Sequence, residues 1–544
     1  MDKNYLKAIV FSLLILLFYP VLLKWFYPNQ AQTARVDAPA PVTDSPIQGE
    51  APPSADENSY LKQAVKPVTV PFENQHYRIE FSTIGGTVTR LFYKGEQGRE
   101  SLTQTEFFSA PVGEAGIFGM NIAGEVADLT YTPFKLNRRG RAGREVFEFT
   151  YELPAQYEVT KTFTPNPDKP ALDLSVRIRN LAGEERRFPL TIMYGMNHEK
   201  DFQKNYGFFD AVAYNGKIKT ANIGKLKKKG FAAPDNLLWA GMIKKYFALL
   251  VKPEWKIETG KARADEQVMR GEIGMASLVI PAGGEDTRHF LIYAGPQRYE
   301  TLRGFGCDFE KVFSRGFLGN FKTILLAILK FFYGFTHNFG WALVLLTLLI
   351  KLVFAPLTHV SYANMKKMQI IQPKMKAIQE HYKNDPQKQQ RELMELYRRN
   401  KVNPVMGCLP MLIQIPIFIA MFRLLPEAIE LHGAPFVGWI TDLSAPDRLI
   451  TFRASLPLLG WNSLNILPIL MALSQLWYQK IMPQQPGASP EQANIMNFMP
   501  LFFGFICYNM PSGLTLYWTL QNLFSIIQQV FINRIAIVLH HEDQ

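Results

Sequence analysis

A lysine inside a long apolar run is the residue most able to do chemistry in this chain. Lys351 lies within residues 339–357, with apolar side chains on both sides of it. About 20 apolar residues cross a bilayer, and a lysine near the middle of such a helix costs about 2.5–3.5 kcal/mol on insertion scales. That cost predicts a wet cavity where the ammonium group meets a polar or acidic partner. The alternative is that the flexible stem carries the ammonium to the nearby membrane surface.

Polar side chains in the other apolar segments could complete such a cavity. Thr347 precedes Lys351 by one helical turn and shares its face. The further candidates are Gln414, Tyr517, Trp518 and Gln521. Taken singly, an amide in a membrane helix commonly bonds a neighbouring helix, and an aromatic ring near a helix end commonly anchors it. Together with Lys351 they predict a polar, positively charged groove within a helical bundle.

Motifs for covalent, metal or nucleotide chemistry do not accompany these residues. The sequence contains no Walker A loop, no Gly-x-Ser-x-Gly elbow, no His-Glu-x-x-His and no dinucleotide fingerprint. Cys307, Cys408 and Cys507 are far apart, so they provide neither a disulfide framework nor a metal site. We therefore expect no catalytic residues, no metal and no cofactor, and a protein that is not an enzyme.

The elements that hold the candidate residues divide the 544-residue chain into two halves. Residues 58–310 alternate apolar and polar side chains over many short runs, which predicts a large antiparallel β-sandwich. Three such runs are residues 77–81, 158–163 and 172–179. Residues 224–230, with four lysines between two glycines, indicate a solvated hairpin tip, or alternatively a contact with lipid head groups.

The N-terminal residues 1–28 are predicted to form an uncleaved transmembrane anchor. Lys3 and Lys7 precede a long apolar stretch, and no clear cleavage site for a signal peptide follows it. Residues 29–57 are rich in Ala, Pro, Asp and Ser, so we expect a flexible linker. The net charge of +12 indicates contact with anionic lipid head groups or with RNA, and no contact with DNA is expected.

The C-terminal half indicates a five-helix membrane core in residues 336–535, which with the anchor gives six transmembrane helices. Residues 317–335 contain two lysines and a short apolar stretch, so we expect an amphipathic helix in the membrane interface. Residues 358–403 contain ten Lys and Arg against four Asp and Glu. Basic loops of this length stay in the cytoplasm, which places both chain ends there, including the short tail 536–544.

The basic loop, residues 359–403, is predicted to form a cytoplasmic hairpin of two antiparallel helices. A helical stripe from Met365 to Tyr382 is interrupted by Pro373, which should bend it. Asp385 is the predicted N-cap of the second helix. The stripe indicates mutual packing or an adaptable contact surface. The residues expected to contact a ribosome or another partner are Lys383, Lys388, Arg391 and Arg398.

This order of parts resembles the YidC family, the bacterial membrane-protein insertases and chaperones, in the Gram-negative form with a large periplasmic domain. The resemblance is carried by residues 372–376 (Gln-Pro-Lys-Met-Lys) and 401–410 (Lys-Val-Asn-Pro-Val-Met-Gly-Cys-Leu-Pro). Residues 412–418, 510–518 and 526–529 carry it further. It covers essentially the whole chain and is strongest after residue 320.

The resemblance implies a multi-pass protein of the bacterial inner membrane that inserts and helps fold other membrane proteins. It implies a hydrophilic groove in which Lys351 receives the acidic segment of a substrate, where the family usually has an arginine. Lysine keeps that charge but lacks the bidentate fork of arginine. The implied partners are nascent inner-membrane proteins, the Sec translocon, membrane lipids, and the ribosome and signal-recognition machinery at the hairpin.

Two other functions remain open at the level of the sequence. A secondary transporter or channel could use Lys351 as its charge site, although the spans contain no internal repeat and no carboxylate partner. A membrane-tethered enzyme acting on carbohydrate would place its site in the sandwich, where no pair of acids stands out. No link between the sandwich and the groove is visible, so we expect most of residues 60–300 to be dispensable for insertion.

Overall fold

The computed structural model describes residues 67–95, 104–111, 114–122, 128–141, 144–198, 209–316, 318–403, 406, 409–452, 462–482 and 490–542. These residues all belong to one compact unit, Ala64–Gln544. The predicted anchor, residues 1–28, and the predicted linker, residues 29–57, lie outside the described residues.

The N-terminal part of the described chain is built almost entirely from strands. In chain order they are β1 (Thr69–Glu73), β2 (Tyr77–Ser82), β3 (Thr87–Tyr93), β4 (Thr105–Ser109), β5 (Met120–Ile122), β6 (Lys135–Arg141), β7 (Arg144–Leu153), β8 (Tyr157–Pro165), β9 (Ala171–Asn180) and β10 (Arg186–Phe188). They continue with β11 (Leu190–Asn197), β12 (Phe209–Tyr214), β13 (Ile218–Asn222), β14 (Phe231–Ala232), β15 (Trp239–Lys244), β16 (Phe247–Pro253), β17 (Ile257–Ala264), β18 (Val268–Met275), β19 (Leu278–Ile280) and β20 (Glu285–Pro296).

These strands form antiparallel sheets around a shared aromatic core. A nine-stranded sheet has the order β13-β12-β15-β16-β20-β9-β8-β7-β6, and a five-stranded sheet has the order β14-β17-β18-β11-β5. Strands β1 to β4 form a four-stranded sheet in sequence order. Phe81 of that sheet stacks on Phe147 of the nine-stranded sheet, with ring centroids 4.5 Å apart. Such aromatic pairs add about 0.5–1.5 kcal/mol beyond the area they bury.

The strand predictions are confirmed where they can be compared. Residues 77–81, 158–163 and 172–179 lie in β2, β8 and β9. In β9 the side chains of Leu172, Leu174, Val176 and Ile178 are buried on one face, as their alternation predicts.

A buried lysine joins two of the sheets from inside the core. Lys161 of β8 is fully buried, and its ammonium group donates hydrogen bonds to the carbonyl oxygens of Gly85 and Phe118. Among the described residues no carboxylate neutralises it, so desolvation lowers the pKa of Lys161 to about 7. The residue connects the turn after β2 to the segment before β5.

Residues 224–230 do not form the predicted hairpin tip. They lie in a short helix, α1 (Ile223–Lys229), whose N-cap Asn222 accepts a hydrogen bond from the amide of Lys225 at 2.9 Å. The helix ends at Gly230, which has a φ of +67° that a glycine adopts without strain. Leu226 is buried in the sandwich core while the lysines are exposed. The prediction was wrong because a short segment between two glycines is typical of a tight turn, whereas here Gly224 lies in the first turn of a helix and Gly230 ends that helix.

The rest of the chain is mostly helical. The helices are α2 (Tyr299–Arg303), α3 (Gly319–Thr336), α4 (Phe339–His381), α5 (Pro386–Arg399), α6 (Leu409–Glu427), α7 (Leu467–Ile481), α8 (Pro490–Ile506) and α9 (Ser512–Glu542). Two short strands, β21 (Ile450–Thr451) and β22 (Ser463–Leu464), pair before α7.

Helices α4 and α5 pack against each other as the predicted antiparallel hairpin requires, whereas its location in the cytoplasm stays a prediction. Helix α4 runs through Pro373 without interruption, because the side chain of Pro373 is exposed and water can solvate the carbonyl group that loses its hydrogen bond. Asp385 caps α5 by accepting from the amide of Lys388 at 3.0 Å. Apolar side chains hold the two helices together: Met368, Ile371, Met375, Leu393, Leu396, Tyr397 and Val402.

Helices α3 to α9 expose large apolar side chains, which a water-soluble bundle would bury. Examples are Leu352 and Val353 of α4, which are 62% and 61% exposed, and Phe531 of α9, which is 63% exposed. Among the described residues, α4 alone meets the length and composition expected of a membrane-crossing helix. The count of six spans therefore stays a prediction.

Candidate functional site

The ammonium group of Lys351 is held by the last helix of the core. Its Nζ donates a hydrogen bond to Ser525 Oγ of α9 at 2.6 Å, and Lys351 is partly buried. The Ser525 hydroxyl donates in turn to the carbonyl oxygen of Gln521 at 2.7 Å. The lysine thus points into the bundle and contacts a neutral hydroxyl group, so its charge has no acidic partner among these contacts.

Three of the predicted residues form one hydrogen-bonded chain beside Lys351. Gln521 Nε2 donates to Gln414 Oε1 of α6 at 2.6 Å, and Gln414 Nε2 donates to the Tyr517 hydroxyl at 3.1 Å. Tyr517, Gln521 and Ser525 follow one another at steps of four along α9, which places them on one face. The Oε1 atom of Gln521 is buried and has no partner within the described part of the chain. A buried amide oxygen of this kind is available to a water molecule or a ligand.

The other two predicted residues are not part of this chain. Thr347 is fully buried, and its hydroxyl donates to Leu343 O of its own helix at 2.7 Å. Trp518 donates to Gln475 Oε1 of α7 at 3.3 Å and packs edge-on against Phe418, with ring centroids 4.7 Å apart. Thr347 therefore lies beside Lys351 without bonding it, and Trp518 belongs to the neighbouring contact between α6, α7 and α9.

Sequence reasoning missed the polar residues on the hairpin side of Lys351. The Tyr362 and Tyr478 hydroxyl groups lie 3.1 Å apart, and Tyr478 also hydrogen-bonds Ser525. Together with Lys351 they connect α4, α7 and α9. Ser525 was within reach of sequence analysis, because it continues the four-residue spacing from Tyr517 and Gln521. Tyr362 and Tyr478 offered no such signal.

A second buried charged cluster lies at the other end of α6. Glu427 contacts Lys322 Nζ of α3 at 2.8 Å and Arg315 at 3.3 Å, and all three side chains are almost completely buried. Arg315 follows the sandwich and also donates to Gln297 Oε1 at 3.2 Å. The sandwich is therefore linked to the core at this end of α6, whereas the absence of a link to the groove stays a prediction. Glu427, the last residue of α6, makes the link.

The basic residues expected at the hairpin surface lie where a partner could reach them. Lys383, Lys388, Arg391 and Arg398 are all exposed. The Nζ atom of Lys388 lies 5.0 Å from the centre of the Tyr382 ring, which leaves its charge available. Within the described ranges, no group of three or more His, Cys, Asp or Glu side chains could hold a metal ion.

Comparison with known proteins agrees with both halves of the structure. Residues 331–539 match the family described as "60Kd inner membrane protein", and residues 69–328 match the "YidC periplasmic domain". The membrane protein insertase YidC of Syntrophus aciditrophicus is 30% identical over 98% of this chain and 100% of its own length. The chain belongs to the YidC family. The YidC insertase of Geobacter metallireducens is 31% identical, with 98% of each chain covered.

Among solved structures, the chain is similar to an active YidC insertase with its first transmembrane domain resolved. The two are 19% identical with a TM-score of 0.34, over 88% of this chain and 96% of that one. YidC relatives are named insertases, in agreement with the expectation that this chain is not an enzyme. As a member of this family, the chain is a membrane protein with a periplasmic domain that is rich in β-strands.

Proposed function

We propose that this chain inserts and helps fold inner-membrane proteins, alone or with the Sec translocon, through a polar groove between α4, α6 and α9. The observation that carries the proposal is the position of Lys351, whose ammonium group faces the bundle and contacts Ser525. Beside it lie Gln414, Tyr517 and the buried, unpaired Gln521 Oε1. These groups could exchange their mutual hydrogen bonds for bonds to a substrate.

The proposed topology has six spans, with both chain ends and the hairpin in the cytoplasm. Residues 1–28 form the first span, and α4, α6, α7, α8 and α9 form the others. Helix α3 lies in the interface, with Phe331 and Phe335 exposed to lipid while Leu325 and Leu329 pack on the core. The charge balance of residues 358–403 supports this orientation.

The proposed mechanism needs no nucleotide, because the energy comes from the substrate. An apolar side chain such as Leu gains about 0.3–0.6 kcal/mol on entering the membrane, so a span of 20 such residues outweighs a short polar flank. The groove increases the rate at which the substrate enters the membrane. It gives the acidic flank a charged, hydrated site partway across the membrane, so that less water is removed from the flank at once.

The groove charge is tested by exchanging Lys351 and measuring insertion in cells depleted of the native protein. Lys351→Glu should reduce insertion of a substrate with an acidic flank at least about tenfold, because removal or reversal of a buried charge pairing costs more than 1.4 kcal/mol. Lys351→Arg should be tolerated, since the charge is kept. Ser525→Ala should cause a milder loss, because it removes only one hydrogen bond from the ammonium group.

Two controls make the result specific. A substrate with a neutral flank should be inserted equally by the native chain and by Lys351→Glu. Each variant must also be present in the membrane at the native level. Full insertion of the acidic substrate by Lys351→Glu would exclude the proposed role of the charge.

A further inference from the structure

Helix α1 and the adjacent strand β17 form a compact basic surface on the sandwich. Lys225, Lys227, Lys228 and Lys229 are exposed, as is Arg263, whose side chain lies beside Gly230. We call these five residues the α1 basic patch. One acid is close by, since Glu266 lies 3.4 Å from Lys227. Lys228 and Lys229 have no ion pair within the described part of the chain.

Strand register places the α1 basic patch at the end of the sandwich that faces the helical core. Asn222, the N-cap of α1, pairs with Asp210 near the start of β12. The start of β12 pairs with the end of β15, so it lies beside the turn between β15 and β16. In that turn, Tyr246 stacks on His432, just beyond α6, with ring centroids 4.9 Å apart.

Electrostatic contacts give the same position independently. The carboxyl group of Asp210 is close enough to feel the charges of Arg423 and Glu427, in the last turn of α6, and that of Arg315, which contacts Glu427. Lys217, just before β13, is five residues from Asn222, or about 16 Å at the rise of a β-strand. The patch therefore lies close to the end of α6, and Lys217 lies farther from α6, toward the opposite end of the sandwich.

We propose that the α1 basic patch binds the anionic head groups of lipids in the periplasmic leaflet. The proposal rests on the topology given above, in which α6 ends at the periplasmic surface. Attraction between exposed charges extends about 8 Å at physiological ionic strength, so the height of the patch decides whether it reaches the lipid. A lipid surface is favoured over an acidic peptide because the fold keeps the patch at this height with or without substrate.

The test measures how close α1 comes to lipid head groups in the full-length protein. The three natural cysteines are replaced by serine, and Gly224→Cys carries a fluorophore that leaves all five charges in place. Lys217→Cys, one residue before the far end of β13, is the matched control. The protein is placed in nanodiscs of phosphatidylcholine with a spin-labelled head group, with or without phosphatidylglycerol.

We expect the label at residue 224 to be quenched at least twofold more in discs with phosphatidylglycerol, and high salt to remove the difference. Changing Lys225, Lys227, Lys228 and Lys229 to Glu should also remove it, while the label at residue 217 responds to neither. Quenching at residue 224 that is the same in both discs would overturn the proposal. The salt titration decides the matter if the fourfold variant does not fold.

Two further outcomes separate the alternatives. A label at residue 224 that ignores lipid composition but is displaced by an acidic peptide would assign the patch to peptides and overturn the lipid proposal. A label at Leu352→Cys, quenched by lipid spin-labelled in the acyl chain, reports whether α4 is embedded. Without that quenching the topology itself fails; with it, a negative result at residue 224 overturns only the lipid contact.

Discussion

At the scale of single residues, two buried lysines and one partly buried lysine show how their partners decide what the same side chain does. Lys161 donates to two backbone carbonyl groups in the sandwich core. Lys322 is neutralised by Glu427. Lys351 contacts only the hydroxyl of Ser525 among the bonds described for it. The first two have structural partners, whereas the partner described for Lys351 is a neutral hydroxyl group, which suits the proposed contact with an acidic substrate segment.

Lys161 predicts a pH dependence of stability. Its pKa is about 7 in the folded protein, whereas the ordinary pKa of a lysine side chain is 10.5, so the unfolded chain binds more protons between these pH values. Stability should therefore rise with pH from about 7 to 10.5, and the desolvation cost is fully present below pH 7. Lys161→Met should lack this rise.

The measurement is thermal unfolding of the full chain in detergent, followed by near-ultraviolet circular dichroism of the aromatic core. The Tm of the native chain minus the Tm of Lys161→Met should increase by several degrees between about pH 7 and pH 10. A difference that stays constant over this range would mean that Lys161 is charged throughout. Lys217→Met, an exposed substitution, serves as the control.

At the scale of elements, the hairpin combines a packed interior with a basic exterior. Its methionines and leucines are used between α4 and α5, so the apolar stripe serves packing. Val360 and Ile370 of α4 and Met394 of α5 are exposed, however, so a few apolar side chains of the hairpin lie on its outer surface. The basic residues of α5 and the connecting turn are thus the main groups the hairpin presents to a partner.

Neutralising this basic surface should weaken ribosome binding in a salt-dependent manner. Replacing Lys383, Lys388, Arg391 and Arg398 with Gln should reduce co-sedimentation with ribosomes about tenfold or more at low salt and little at high salt, because counterion release drives such binding. The matched control replaces four lysines of the sandwich, Lys225, Lys227, Lys228 and Lys229, with Gln and changes the net charge equally.

Two results would contradict different parts of this prediction. Ribosome binding that the hairpin variant leaves unchanged would remove the docking role alone. Labelling of Lys383→Cys by an impermeant maleimide added from the periplasmic side would overturn the proposed topology, because the hairpin would then lie in the periplasm.

At the scale of the whole molecule, the sandwich and the membrane core are joined by a buried ionic contact. Arg315, Lys322 and Glu427 come from the end of the sandwich, from α3 and from α6, respectively. Breaking a buried ion pair by removing one partner costs about 3–5 kcal/mol, since the remaining charge stays buried. Of the sandwich strands, β12 adds the nearby charge of Asp210, whereas the two ion pairs themselves lie within residues 315–427. We therefore expect the essential core to begin before residue 315.

Two deletions that differ by six residues should therefore behave differently. Deleting residues 60–310 keeps Arg315 and should leave growth of a depletion strain nearly intact. Deleting residues 60–316 removes Arg315, leaves Glu427 with one cation instead of two, and should lower the amount of folded core. Complementation and protein level in the membrane measure both effects. Loss of insertion by the shorter deletion, with the protein stably present, would show that the sandwich itself is required.

The sequence alone determined the features that depend on neighbouring residues along the chain. Alternation predicted β2, β8 and β9, and the Asp-Pro pair at residues 385–386 predicted the start of α5. The lysine in an apolar run and the motifs after residue 320 indicated the family. These signals are local, because side-chain periodicity and capping are decided within one or two turns of the backbone.

Which polar groups meet depends on how the helices pack. Gln414 and Gln521 are 107 residues apart and share a hydrogen bond, and Lys322 and Glu427 are 105 residues apart. The same holds for Lys351 and Ser525, which are separated by 174 residues. Periodicity assigns each residue to a face of its own helix, but the rotation and contact of the packed helices select its partner. For this reason the sequence predicted a polar groove, whereas the packing determined the hydrogen-bond partner of Lys351 and the ionic contact between Arg315 and Glu427.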